Sequence, residues 1–137
     1  MTMVTAGGPG PTGTPSLPVG WQAHVAKVRG WSSLPMDWDG DDGIPPTTVT
    51  LDNAATFAMT CDGRGITLAR LCLWSDGEVG FLWEGDTSSA SVSFLDDDHV
   101  VAYVRDSAGT LACSLDQPFM PLDWMDGLLG SLARVFG

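Results

Sequence analysis

The sequence predicts an α+β fold: two N-terminal helices, an antiparallel meander of four to five strands, and a C-terminal helix packed on one sheet face. Three observations predict this fold. Apolar residues recur at helical spacing before residue 61 and after residue 121, and hydrophobicity alternates with a period of two between them. The connections between the alternating segments are too short for crossover helices, so neighbouring strands run antiparallel.

One domain of 17–137 is predicted, preceded by a tail. The chain has 137 residues, 44% of them hydrophobic, which is enough for a single core. Residues 1–16 are dense in Gly and Pro and lack apolar periodicity, so they are interpreted as a flexible tail. No Gly-Lys-Ser or Gly-Lys-Thr follows those glycines, which excludes a phosphate-binding loop.

Two helices are predicted before the strands. Trp21, Val25 and Val28 share one helical stripe between residues 18 and 29, and Gly30 is placed to end that helix. A second helix is predicted from a threonine cap at residue 47 or 48 to about residue 60. The loop between them, residues 34–45, is rich in Asp and Gly, which favour turns. We expect Trp38 to fold back from this loop onto the core.

The strands are predicted at residues 68–74, 78–84, 91–95 and 100–105, with a last one from 111 to 115. The clearest is the second, in which Val79, Phe81 and Trp83 alternate with more polar residues. Turns are predicted at the Asp-Gly pair 76–77 and at residues 96–98. The final helix carries the stripe Leu122, Met125, Leu128 or Leu129, Leu132 and Val135.

Charge and cysteine content limit the partners. The chain has 17 acidic and 6 basic residues, a net charge of -11, and all but two of the acids are Asp. Such a chain is repelled by bare nucleic acid and by anionic membranes, so neither is a predicted partner. The three cysteines include no C-x-x-C pair, and the sequence shows neither a leader nor an apolar stretch of about 18 residues. These features predict a cytoplasmic protein with free thiols.

Two motifs carry a resemblance. Leu34-Pro35-x-x-Trp38-Asp39-Gly40, followed by Pro45, resembles the L-P-x-N-W-D-G-Y-G-A-x-P motif of small bacterial proteins of unknown function, many near phage or mobile elements. In those proteins D-G-x-v-x-l-x-W tends to follow, and residues 76–83 match it. The sequence departs from the first motif at Asp37 and at residues 41–43. The resemblance implies a fold and a mobile-element context, but no settled activity.

The sequence lacks recognisable catalytic equipment. Only His24 and His99 could act as a general base, and neither lies in a nucleophile motif, so the protein is predicted not to be an enzyme. Asp37, Asp39 and Asp41 have the spacing of a calcium loop, but the glycine is one place late and position twelve is Thr48 instead of Glu. A structural loop with solvated carboxylates is therefore preferred, and no metal or cofactor is predicted.

The predicted partner-binding residues are carboxylates in two turns and two tryptophans, namely Asp37, Asp39, Asp41, Asp42, Asp96, Asp97, Asp98, Trp74 and Trp124. The predicted function is a non-catalytic inhibitor that imitates nucleic-acid charge, for example an anti-CRISPR protein, bound to a protein with a basic nucleic-acid-binding surface. The alternative is an accessory or immunity-type protein that binds through an apolar surface containing Trp74 or Trp124. A homodimer stays open. A further alternative is that Trp74 and Trp124 cover the second sheet face and do not bind a partner protein.

Overall fold

The structure, a computed structural model, describes residues 18–137. The tail predicted for residues 1–16 lies outside the described residues. Within the described range the protein has three α-helices and a five-stranded antiparallel sheet, which confirms the predicted α+β class.

The helices are α1 (Gly20–Gly30), α2 (Thr48–Gly63) and α3 (Trp124–Phe136). Thr47 caps α2 as expected, because its side chain accepts a hydrogen bond from Thr50 N at 3.2 Å. The prediction of two N-terminal helices is not confirmed in that simple form. The described helices begin only at Gly20. A 3₁₀ helix, Trp31–Ser33, follows α1, and Ser33 Oγ donates a hydrogen bond to Gly30 O at this junction.

The sheet is a meander in which every strand pairs with its sequence neighbours. Its strands are β1 (Arg70–Leu73), β2 (Val79–Glu84), β3 (Ser89–Leu95), β4 (His99–Arg105) and β5 (Leu111–Pro118). A bulge between Val104 and Arg105 interrupts the register of β4 with β5.

One sheet face is buried beneath α2 and α3. The side chains on this face alternate with the opposite ones along each strand, and those of β2 to β4 are Val79, Phe81, Trp83, Ala90, Val92, Phe94, Val100, Ala102 and Val104. Phe57 of α2 lies at the centre, with ring centroids 5.5 Å from those of both Phe81 and Phe94. The aromatic rings of helix and sheet therefore form one continuous core.

Three of the six tryptophans belong to this core, and one of them corrects a prediction. Trp21 and Trp83 are buried, as expected. Trp124 was predicted at a binding surface but is only 7% exposed, and its Nε1 donates to Phe119 O at 2.7 Å. The helix begins at Trp124 itself, so the ring joins the buried stripe with Met125.

None of the helices between residues 18 and 137 is both long enough and apolar enough to cross a membrane.

Candidate functional site

The loop of residues 34–45 turns two of its carboxylates onto its own backbone. Asp39 Oδ1 accepts hydrogen bonds from Asp41 N (2.9 Å) and Gly43 N (2.8 Å). Asp37 Oδ1 accepts one from Asp42 N at 2.6 Å, and Asp37 N donates to Gly43 O at 2.7 Å. Such bonds fold a short turn. All four aspartates of the loop are exposed, and the carboxylates of Asp37 and Asp39 in addition hold the loop together.

Three positions of this loop have left-handed backbone: Asp37 (φ 62°), Gly40 (φ 75°) and Asp42 (φ 60°). Gly adopts this region without strain, and Asn and Asp tolerate it better than other residues. The motif that the loop resembles has Asn at the first position and Gly at the third, and both suit this backbone. At Gly43 a Cβ would lie 2.5 Å from Asp39 Oδ1, so the Ala that the motif has at this position would require the Asp39 side chain to shift.

The prediction that Trp38 folds onto the core is wrong. Its ring is half-buried and does not belong to the core cluster. Its Nε1 donates to Ile44 O at 3.0 Å, across the loop. The polar N–H finds a carbonyl partner within the loop, and Trp21, Trp83 and Trp124 already occupy the core. Trp38 thus closes the loop locally.

The loop rests on the turn that joins β1 to β2. Ile44 N donates to Ser75 O at 2.7 Å. Gly77 has φ 88°, and a Cβ on it would lie 3.1 Å from Pro45 O. The two motifs of the resemblance are therefore in contact, and the acidic loop is held at one end of the sheet.

The β3–β4 turn lies at that same end, because alternate turns of an antiparallel meander share an end. Asp96 and Asp97 are exposed there. Asp98, which has φ 64°, instead accepts a hydrogen bond from Asn53 Nδ2 of α2 at 2.7 Å and anchors the turn. We name the carboxylates of this region the acidic end: the exposed Asp41, Asp42, Asp76, Asp96 and Asp97 and the half-buried Glu78.

Sequence reasoning missed two members of the acidic end, Asp76 and Glu78. Burial raises the pKa of Glu78 most, and together with the hydrogen bond with Asp76 and the charges of Asp76, Asp96 and Asp97 it brings that pKa to about 7. The carboxylates of two separate turns thus act on one another. The only sequence signal for this was the alternation of turns along the predicted meander.

Trp74 lies on the sheet face opposite to the core, as its alternation with Leu71 and Leu73 predicted. The ring covers Gly80, on which a Cβ would lie 2.5 Å from the Trp74 ring. The side chain stays 38% exposed. The structure therefore brings Trp74 close to the acidic end, since the turn residues Asp76 and Glu78 follow it directly, and keeps Trp124 away from solvent.

The histidines and thiols do not form a nucleophilic site. His24 Nε2 bonds to Ala69 O at 2.6 Å, and His99 Nε2 bonds to the Asp116 carboxylate, so neither bond joins a hydroxyl or thiol. Burial raises the pKa of the Cys61 thiol to about 12 and also raises the pKa of Cys113. Raised pKa values leave these thiols protonated and weakly nucleophilic.

The described residues also lack a metal constellation. Between residues 18 and 137, no three His, Cys, Asp or Glu side chains converge as a metal ion would require. Asp37 and Asp39, which have the spacing of a calcium loop, stabilise the loop backbone, because their Oδ1 atoms accept hydrogen bonds from backbone N–H groups.

Comparison with protein-family models, curated proteins and solved structures finds no significant match to the chain. The resemblance to mobile-element proteins stays a prediction.

Proposed function

We propose that this protein is a small non-catalytic binding protein whose acidic end engages a basic surface of another protein. The observation that carries the proposal is the convergence of exposed carboxylates from three chain segments at one end of the sheet: the loop, the β1–β2 turn and the β3–β4 turn. The pKa of Glu78 is raised chiefly by burial, and the nearby charges of Asp76, Asp96 and Asp97 raise it in the same direction, which agrees with carboxylates grouped at this end.

The partner that we favour is a protein whose basic surface binds nucleic acid. Basic grooves that bind phosphates attract any fixed array of negative charges, and the attraction weakens with salt. The loop and the β1–β2 turn that carry these carboxylates are held by hydrogen bonds to the backbone, which reduces the entropy lost on binding. The more specific form, a phage or mobile-element inhibitor of a CRISPR effector, is supported by the resemblance alone. A cytoplasmic location agrees with the three free cysteines.

Displacement of nucleic acid tests this function. The protein is added to complexes of labelled DNA or RNA with a candidate basic protein from its host, and the released nucleic acid is measured. We expect displacement at low salt that is lost when Asp76, Asp96 and Asp97 are changed to Asn and Glu78 to Gln. Failure of the unmodified protein to displace nucleic acid from any such complex at low salt contradicts the proposal.

The matched control removes the same charge at the far end of the sheet. Its four changes are Asp62→Asn, Asp86→Asn, Asp106→Asn and Glu84→Gln. Asp62 lies in the last turn of α2, Glu84 ends β2, and Asp86 and Asp106 lie at the β2–β3 and β4–β5 turns. The control should displace nucleic acid almost as well as the unmodified protein. Equal loss in both variants would mean that net charge alone acts.

A second candidate function is favoured by the exposed Trp74. An accessory or immunity-type protein would bind its partner through this ring, and the affinity would hardly depend on salt. Truncation of a hot-spot tryptophan costs about 2 kcal/mol or more of binding free energy. Trp74→Ala would then abolish most binding, while neutral variants of the acidic end would bind normally.

A further inference from the structure

The sheet has a second face that no helix between residues 18 and 137 covers. Helices α2 and α3 pack on the core side, and the strand register places a different set of residues opposite them. We name this set the open face: Trp74, Gly80, Leu82, Ser91, Ser93, Val101 and Tyr103. It crosses the sheet from the end of β1 to β4.

The open face is apolar at its centre and uncharged. Trp74, Val101 and Tyr103 are 38%, 36% and 37% exposed, and Leu82 between them is half-buried. The remaining members are glycine and serines, in a chain whose net charge is -11. Charged side chains flank the set on the same face: the pair Arg70–Glu84 lies at the far end of β1 and β2, and Asp116 of β5, which contacts His99, lies directly beside Val101. An uncharged apolar strip on so acidic a protein is typical of an interaction surface.

The width of this strip suits a helix. Adjacent strands lie about 4.8 Å apart, so β1 to β4 spans roughly 14 Å. An α-helix with its side chains is about 10–12 Å in diameter. The core side of the same sheet already accepts helices, with Phe57 of α2 seated on Phe81 and Phe94.

The charge at one end of the strip defines the chemistry of the occupant. Trp74 is followed directly by the turn that carries Asp76 and Glu78, and Asp96 and Asp97 lie at the next turn of the same end. The charges of Asp76, Asp96 and Asp97 all reach Glu78, so these four carboxylates form one group. An occupant that reaches past the apolar strip toward this end meets concentrated negative charge.

We propose that the open face docks a basic amphipathic helix of a partner protein, with its apolar stripe on Trp74, Val101 and Tyr103 and its Lys or Arg side chains on the acidic end. This inference rests on the proposed function, because it names the element of the basic partner that the acidic end engages. Beyond that function, we infer that the contact has an apolar part on the open face and that the partner binds through a helix.

Other occupants fit the charge less well. A second copy of the chain would bring another net charge of -11 to the complex. Nucleic acid and anionic membranes are repelled by the carboxylates at the end of the strip. A helix with basic residues on one side and apolar residues on the other complements both parts of the surface.

A designed peptide tests the proposal. The probe is a peptide of ~18 Lys and Leu residues with Leu at helical spacing, long enough for five turns. It contains no Trp, so the fluorescence of the protein reports binding. A scrambled peptide of the same composition without the helical stripe is the peptide control. We expect the amphipathic peptide to bind and to become helical by circular dichroism, and the scrambled peptide to bind at least tenfold more weakly.

Variants of the protein locate the binding surface. Val101→Ser and Tyr103→Ser remove exposed apolar groups, and each should weaken binding by roughly tenfold. Trp74→Ser should weaken binding more. Because the Trp74 ring also covers Gly80, this variant could unfold, and Val101→Ser and Tyr103→Ser then show whether the open face binds the peptide. Met59→Ser is the control, since Met59 is 57% exposed on α2 at the opposite side of the molecule. It should leave the affinity unchanged.

The possible results separate this inference from the function on which it rests. Equal binding of both peptides, or no effect of Val101→Ser and Tyr103→Ser, overturns the helix-docking inference while salt-sensitive binding at the acidic end survives. Failure of both peptides to bind at low salt overturns both. Sedimentation that shows a dimer disrupted by Tyr103→Ser assigns the open face to a second copy and also overturns the inference.

Discussion

Individual aspartates have opposite roles within the loop of residues 34–45. All of them are exposed, but Asp39 Oδ1 accepts two backbone hydrogen bonds, whereas Asp41 and Asp42 contribute their backbone N–H groups as donors. The sequence shows only that these residues favour turns, because the choice between an inward and an outward carboxylate depends on the backbone angle at each position. Of the four loop residues predicted to bind a partner, two have carboxylates that also bond the loop backbone, and all four are exposed.

The left-handed backbone at Asp42 gives a prediction of increased stability. Asp42→Gly should raise the free energy of unfolding by about 0.5–1 kcal/mol, because a side chain in this region costs about 1–2 kcal/mol and glycine avoids most of that cost. Asp41→Gly removes the same charge at a position without positive φ and should lower stability. Urea unfolding of both variants makes the comparison. Equal effects would contradict the strain at Asp42.

Trp38 should contribute less to stability than a core tryptophan. Trp38→Ala is expected to cost about 1–2 kcal/mol, below the 3–5 kcal/mol usual for a buried aromatic site. Trp83→Ala is the matched case, because both indoles donate to a backbone carbonyl, Trp38 to Ile44 and Trp83 to Thr67, and only Trp83 lies in the core. Chemical denaturation measures both losses. A cost for Trp38→Ala as large as that for Trp83→Ala would place the ring in the core after all.

Secondary structure was predictable where periodicity was strong. The alternation in β2 and the stripe of α1 predicted those elements to within about two residues, because side-chain direction repeats with a fixed period. The extension of β5 to Pro118 was missed, since Asp116 and Gln117 weaken its pattern. Trp124 was misplaced because the stripe was started at Leu122, which precedes the helix and is exposed.

The contact between the loop and the first hairpin is testable at Gly77. Gly77→Ala should destabilise the protein more than Gly109→Ala by about 1 kcal/mol or more, the usual cost of forcing an atom into a filled space. Both glycines have positive φ, 88° and 80°, but a Cβ would touch Pro45 O only at Gly77 and would meet open space at Gly109. Thermal unfolding of the two variants measures the difference. Equal losses would show that the loop does not rest on this turn.

At the level of the whole molecule, the acidic end was not predictable as a unit. The composition predicted an acidic surface, but its grouping depends on which turns share an end and on where the loop rests. The predicted meander already implied which turns share an end, but the contact of Ile44 with Ser75, which brings the loop to the turn of Asp76 and Glu78, has no periodic signal in the sequence. Those two carboxylates were therefore missed.

The grouping of carboxylates at the acidic end predicts that the free energy of unfolding depends on pH. The pKa of Glu78 is about 7 in the folded protein against an ordinary value of 4.5, so the folded state binds this proton more tightly than the unfolded state. The stability from this group is fully present below pH 4.5 and is lost as pH rises through 7. Glu78→Gln should remove that decline, and Glu84→Gln at the far end should retain it. Urea unfolding between these pH values measures the slopes, and equal slopes in the unmodified protein and Glu78→Gln contradict the prediction.

The most direct test of the proposed function is the salt dependence of binding to a basic partner. The dissociation constant for a partner whose nucleic acid the protein displaces is measured over a series of salt concentrations. The slope of its logarithm against the logarithm of salt counts the charges that act in the complex. We expect a steep slope that becomes shallow in the variant with Asp76, Asp96 and Asp97 changed to Asn and Glu78 to Gln, but stays steep in the charge-matched far-end variant. A slope that is flat in the unmodified protein, or that is equally steep in both variants, contradicts binding by the acidic end.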